Sequence, residues 1–256
     1  MQSYVCIKHV PDTAANIQIS GESGFDEAGC KFIVNPYDEY ALEQAVQLVE
    51  QNGGEVVIVT VGKAAAVGTM RAALAMGAQR GILVTVDDQF IDSQITARAL
   101  KAAIAQDGQA DIIFTGKGAV DSEGFQTPYR LAALLDLPVV NEINRLEITD
   151  GRANVGREIG GGVRQRIELP LPCVLGATKG LNEPRYPKFP EIMKAKKKTI
   201  REVALADLGL IADGDRSALV RLEKVPERTG AKMLGGDARQ AAETLVRILK
   251  EEEKVI

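Results

Sequence analysis

The first 140 residues alternate two hydrophobic periods, and that alternation restricts the chain to very few folds. Short β-branched runs (SYVCIKHV, EVVIVTV, GILVTV and ADIIFTG) are separated by stretches in which apolar residues recur every three to four positions. Asn35 and Pro36 open the first of these stretches as N-cap and first helical residue, Leu42, Ala45, Val46 and Val49 share its apolar face, and Asn52-Gly53-Gly54 ends it. Val67, Met70, Ala73 and Leu74 mark a second helix that stops at Gly77. Ile95, Ala99, Ala102 and Ala103 mark a third between Asp92 and Gln106, and PYRLAALLDL is a fourth. Repeated βα units with short joins predict a doubly wound, mainly parallel, Rossmann-like α/β sheet with right-handed crossovers. In such sheets ligands bind beyond the carboxyl ends of the strands. Three places qualify: Cys6 to Thr13, Val61-Gly62, and Gly116 onward.

After Pro138 the pattern changes. NEINRLEIT, ANVGREI and RQRIELP alternate apolar and polar residues around Asp150-Gly151 and Gly160-Gly161-Gly162, which predicts a small antiparallel excursion over about 140–170. PCVLGAT then returns to the main sheet. Residues 180–200 contain three prolines and read as irregular. The chain is expected to divide into an α/β domain, 1–200, and a C-terminal extension, 201–256. The extension runs through the linker VPERTGAKMLGG to a helix capped by Asp237, with an apolar stripe of Ala238, Ala241, Ala242, Leu245, Ile248 and Leu249. Spacing alone lets that helix pack on its own domain or on another chain.

Aromatics make up only 4% of the 256 residues, and a core of Ala, Val, Ile and Leu suits a buried parallel sheet. No apolar run reaches the length that spans a bilayer, and MQSYVCIKHV lacks the layout of a signal peptide. Cys6, Cys30 and Cys173 are far apart and odd in number, with neither a disulfide framework nor a metal spacing. A cytoplasmic chain without a metal or a membrane-inserted segment is the expectation. The net charge is −4, but residues 183–201 carry Arg185, Lys188, Lys194, Lys196, Lys197, Lys198 and Arg201 against Glu183 and Glu191. A basic stretch on an acidic body is either a docking patch or a solvated loop. It has too few aromatics to stack bases, so nucleic acid is not the expected partner.

For chemistry, the stretch 115–128, TGKGAVDSEGFQTP, follows a strand and precedes a helix. Its glycines would let backbone approach a ligand, and a helix N-terminus offers free N–H groups to phosphate. Ser122, Gln126 and Thr127 add side-chain donors. The loop fits neither the P-loop nor the GxGxxG pattern, and an ordinary βα connection is the competing reading. Asn35-Pro36-Tyr37-Asp38 is a second polar helix start. His9, the one histidine, reads as structural. No nucleophile elbow or paired acids stand out, and no catalytic residue is expected.

The order of residues in LNEPRYPKFPEIMKAKKK, 181–198, resembles the signature of electron-transfer flavoprotein β subunits. VCIKHVPD, NPYDEYALEQAV, RAALAMGAQRGILV, GKGAVDSEGFQT and REIGGGVRQRIELPLPCVL resemble further stretches of the same family, in order and over nearly the whole chain. The resemblance implies an electron-carrier subunit, not an enzyme by itself, that pairs with an α subunit holding most of a redox-active FAD. It implies a buried adenine nucleotide in this chain: AMP in the common form, a second FAD in the electron-bifurcating form. By position, the implied nucleotide contacts are Cys6, Asn35, Pro36, Tyr37, Asp38, Val61, Gly116, Lys117, Gly118, Ala119, Val120, Asp121, Ser122, Glu123, Gly124, Phe125, Gln126 and Thr127. The implied docking loop for acyl-CoA dehydrogenase-type flavoproteins is 185–194, through Arg185, Tyr186, Phe189, Ile192, Met193 and Lys194. Electrons would pass on to a quinone-linked oxidoreductase, and the C-terminal helix would pack on the α subunit. Two departures stand out. Gly160 replaces an acidic residue common in the family, and the phosphate loop ends Phe-Gln-Thr-Pro. Gln126-Thr127 leans towards AMP, while VPDT at 10–13 and LPCVL at 171–175 lean towards the bifurcating form. A stand-alone adenine-nucleotide-binding regulatory protein is the alternative from another class.

Overall fold

A computed structural model describes residues 1–211, 217–226 and 230–256. The expected alternation forms one nine-stranded sheet. Its parallel part consists of β1 (Gln2–Cys6), β6 (Glu55–Gly62), β7 (Arg80–Thr85), β8 (Ile112–Gly116), β9 (Val139–Thr149), β12 (Cys173–Ala177) and β13 (Ile200–Ala204), whose pairings all run in one direction. β10 (Arg152–Glu158) and β11 (Arg164–Pro170) continue from β9 as the antiparallel excursion. The order is β11-β10-β9-β12-β8-β1-β6-β7-β13. The chain therefore builds outward from β1 through β6 to β7, then crosses back to set β8 on the other side of β1. The β1/β8 boundary is the topological switch point, where the crossovers on either side diverge and leave a crevice.

Helices cover both faces because successive strand residues point opposite ways. Val5, Ile58 and Phe114 face α1 (Pro36–Asn52) and α2 (Ala66–Met76). Tyr4, Val57, Val59 and Ile113 face α3 (Ser93–Asp107) and α4 (Thr127–Leu135). The closest packing falls on small residues: a Cβ on Gly81 would stand 2.7 Å from the methyl of Met70. Arg80 fastens the amino ends of the strands, donating to Glu55 at 2.9 and 3.0 Å and to Asp107 at 2.7 Å. Tyr4 donates its hydroxyl to the same Asp107, and burial pushes that phenol up to about 12.

The stretch after β1 forms two ribbons: β2 (His9–Pro11) with β5 (Phe32–Val34), and β3 (Ile19–Ser20) with β4 (Gly24–Phe25). Residues 180–200 are not wholly irregular, because α5 (Phe189–Ala195) forms there with Pro190 in its first turn, where a missing N–H costs no helix bond. The first compact unit runs from Met1 to Leu222; β13 pairs with β7, and Leu205 and Leu210 are buried with the α3 side of the core. The second unit, Glu223–Ile256, holds α6 (Ala238–Arg247), capped by Asp237 and Gln240 in a reciprocal box and continued by a π-helical turn, Ile248–Glu252. No residue of α6 is buried. The expected linker and extension include 212–216 and 227–229, which lie outside the described residues. No helix among the described residues is long and apolar enough to cross a membrane.

Candidate functional site

A cavity of about 1030 Å³ opens at the switch point. The ends of three strands form its floor, with Cys6, Val61, Thr115 and Gly116 among the lining residues. Leu100 of α3 and Ile91 add apolar wall, and the loop 118–128 closes one side. The ribbon β2–β5 and the turn before α3 build a second lobe lined by His9, Phe25, Phe32 and Phe90. There His9 stacks on Phe32 with ring centroids 4.2 Å apart, and Phe25 meets Phe90 edge-on at 6.2 Å. His9 Nδ1 lies 2.7 Å from Thr69 Oγ1, and burial lowers the imidazole pKa below its usual value. Burial thus favours the neutral ring of His9 in the wall.

Asn35-Pro36-Tyr37-Asp38 does something its sequence conceals. Asn35 is the N-cap of α1 but makes no capping bond with its side chain. Its Nδ2 donates to Gly118 O at 2.9 Å and its Oδ1 accepts from Val120 N at 3.1 Å. Asp38 is buried and accepts from Lys8 N at 2.7 Å and Gly116 N at 2.9 Å. One helix start therefore holds the end of β1, the end of β8 and the loop beyond it. Burial pushes the Asp38 carboxyl up to about 7, with the two backbone donors acting in the opposite direction.

Two of the loop's glycines, Gly116 and Gly118, also meet close packing from other side chains. A Cβ on Gly116 would stand 2.4 Å from Asp38 Oδ1, and one on Gly118 would stand 2.4 Å from Phe125 Cδ1. Phe125 itself has φ 50° and Glu123 φ 46°, left-handed values that are costly for residues with a side chain. Lys8 Nζ reaches across to Asp121, at 2.7 and 2.8 Å from its two oxygens.

Of the eighteen nucleotide-contact residues expected from the sequence, fourteen line the cavity: Cys6, Asn35, Asp38, Val61, Gly116, Gly118 to Ser122, and Gly124 to Thr127. Pro36, Tyr37, Lys117 and Glu123 do not. Lys117 turns away over the rings of Tyr37 and Phe125 and pairs with Glu142 at 3.6 Å. Gln126 Oε1 accepts from Arg130, which also holds Gln94. Sequence reasoning covered Lys8 only as part of the strand end Cys6 to Thr13, and missed the Phe25-Phe32-Phe90 lobe and the Asp88–Ser93 wall. Their only linear signal is a scatter of aromatics in segments without period.

The six expected docking residues divide into two groups. Tyr186 is 96% exposed and Phe189 73%, with Ile192 and Met193 exposed beside them. That apolar cluster belongs to α5 and the turn before it. Lys194 is exposed and pairs with Glu191 at 2.9 Å. Arg185 behaves differently: its guanidinium donates to Glu43 at 2.8 and 3.0 Å and to Glu50 at 2.6 and 2.9 Å. Hydrogen bonds from Arg185 lead the causes that hold the Glu50 carboxyl below the usual range, and against burial they do the same for Glu43. Beyond α5, Lys198, expected as flanking charge, donates to Leu74 O at 2.8 Å and Ala78 O at 2.6 Å, while Arg71 donates to the carbonyls of Ala195 and Lys198. The segment 185–198 is thus tied to α1 at one end and to α2 at the other.

A family model described as electron transfer flavoprotein domain matches residues 23–208. The chain belongs to the electron transfer flavoprotein β-subunit family. Among its relatives, the electron transfer flavoprotein subunit beta of Bacillus subtilis (strain 168) is 39% identical over the full length of both chains. That of Bradyrhizobium diazoefficiens is also 39% identical over the full length of both. The mouse protein of the same name is 36% identical over 98% of this chain and 97% of its own. The full-length matches span the three strand ends, the loop 116–127 and the segment 181–198.

Proposed function

We propose that this chain is the electron-carrier β subunit of a heterodimeric electron transfer flavoprotein, with an adenine nucleotide in the switch-point cavity and a dehydrogenase-docking face at Tyr186 to Met193. The observation that carries the reading is the coincidence of that cavity with the loop 116–127 in a chain of this family. The cavity suits a nucleotide: apolar side chains of Val61, Ile91 and Leu100 can flank a base, while the loop and the first turn of α4 offer N–H groups to phosphate. The flavin shared with the α subunit supplies the electron-accepting chemistry. The residues of this chain bind, orient and dock; none is asked to transfer a proton. A nucleotide held only by the folded chain stabilises it by mass action, which gives AMP a structural role.

A second reading, FAD in this subunit and electron bifurcation, is favoured by the cavity's size, at the upper end of the range for small-molecule sites, and by its aromatic second lobe. Co-expression with the α subunit followed by nucleotide extraction decides between the two: one flavin and one AMP per heterodimer for the first, two flavins for the second. A heterodimer with neither nucleotide in this subunit would sink both.

Docking is tested at Phe189, a protruding aromatic in a basic surround. Phe189→Ala is expected to slow electron transfer from an acyl-CoA dehydrogenase about tenfold or more while leaving nucleotide content and heterodimer yield unchanged. Loss of either would assign Phe189 a structural role instead. Electrons then pass from the flavin to a quinone-linked acceptor, in a cytoplasmic setting.

A further inference from the structure

We infer that Lys8 is the cation that neutralises the nucleotide's phosphate, and that it reaches the phosphate by leaving Asp121. This rests on the proposal that the cavity holds an adenine nucleotide.

The charge balance of the cavity calls for such a residue. Besides Asp38, whose carboxyl burial pushes up to about 7, its described lining carries Asp12, Glu27, Asp88, Asp92 and Asp121, against Lys8 and Lys63. His9, the third basic residue in the wall, has its charged form disfavoured by burial. A phosphate monoester brings roughly −1.5 to −2 charge at pH 7. Backbone N–H groups alone would place that charge inside a net acidic wall, so a side-chain cation must come to it.

The two candidates differ in their surroundings. Lys63 Nζ is bound to both oxygens of Glu27, at 2.9 and 3.1 Å, and Glu27 also accepts from Gln89. Gln89 in turn holds the backbone of Phe25, so that group is fastened to the aromatic wall. Lys8 stands at the loop itself. Its backbone is fixed on both sides, the N–H by Asp38 and the carbonyl by Asn35 N at 2.9 Å, the same two residues that hold Gly116, Gly118 and Val120. Its ammonium is therefore aimed at the loop by the bracket that shapes the loop. The side chain is 44% exposed and its partner Asp121 22%, so exchanging one oxygen pair for another requires no repacking. An ammonium is a compact point charge on a flexible stem, suited to moving between two anions.

The test compares AMP with adenosine, which lacks the phosphate, on the heterodimer stripped of bound nucleotide. Wild type should bind AMP more tightly than adenosine. Lys8→Gln should weaken AMP by about tenfold or more and leave adenosine within about twofold. Lys63→Gln should keep the preference for AMP. Asp121→Asn removes the competing anion and should tighten AMP by about threefold or more. The inference is overturned if Lys8→Gln weakens both ligands equally, if it leaves AMP unaffected, or if Asp121→Asn weakens AMP. A wild-type heterodimer that binds no adenine nucleotide would instead defeat the reading beneath it, an outcome separate from all of these.

Discussion

Asp38 shows how far a residue's role can sit from its local sequence. Four positions that look like an ordinary helix start bind backbone groups as far away as Gly118 and Val120. Its carboxyl, pushed up to about 7 by burial, binds a proton more tightly folded than unfolded. The stability this contributes is fully present below the unfolded value near 4 and is lost as pH rises towards about 7. Asp38→Asn offers a donor where Lys8 or Gly116 also donates, so it should be less stable than wild type at pH 4 by about 1–3 kcal/mol. The gap should narrow as pH rises to 8, because the substituted chain lacks the titration. Urea midpoints across that range check it; a widening gap would mean that the buried carboxylate is the stable form. Nothing within two residues of Asp38 announces this role, because Lys8 and Gly116, whose N–H groups it accepts, are distant in sequence. The glycines of the loop were legible as special positions, but the close neighbours of two of them, Asp38 beside Gly116 and Phe125 beside Gly118, were not.

At the scale of elements, the helices and long strands were legible because each repeats its period over several turns or pleats, and Asp92, Asp237 and Gly77 mark their ends as expected. The ribbons β2–β5 and β3–β4 were not legible: strands of two or three residues carry no period, and their pairing is set by the wall they build. The helix α5 was hidden by its prolines, although Pro190 occupies a position where proline is tolerated. The fastening of the segment 185–198 was hidden too, since Arg185 reads as surface charge until Glu43 and Glu50 lie opposite it. Glu43 is only 4% exposed at its side chain. Arg185→Gln leaves that carboxylate without its charge partner and should cost about 2–4 kcal/mol, less than a fully buried pair because the guanidinium is one-third exposed. Hydrogen exchange should rise at residues 181–188, with the nucleotide retained. Unchanged exchange there would show that the segment is held without Arg185.

The molecule as a whole divides its tasks between its two units. Every fully buried apolar side chain among the described residues lies at or before Leu210, and α6 adds none. A chain ending at Leu222 should therefore stay folded, with a melting temperature within a few degrees of the full chain, since truncation removes no buried core. If the amphipathic C-terminal helix serves the α subunit, heterodimer yield should fall in the same variant, measured by co-purification. A collapse of the melting temperature would assign the terminal unit to this chain's own stability. The basic stretch 183–201 was legible as a feature, but its charges do separate jobs: Arg185 and Lys198 are spent inside the fold, and Lys194 faces solvent.

The two-ended attachment of that segment also bears on how such a protein can diverge. Arg185 fixes its start against α1, and Arg71 and Lys198 fix its end against α2, so the span between them has a set length. An inserted or deleted residue would break one attachment, whereas side chains at Tyr186, Phe189, Ile192 and Met193 can change freely without touching either. New partners would then be acquired by substitution along a strap of constant length, leaving the nucleotide cavity out of the negotiation.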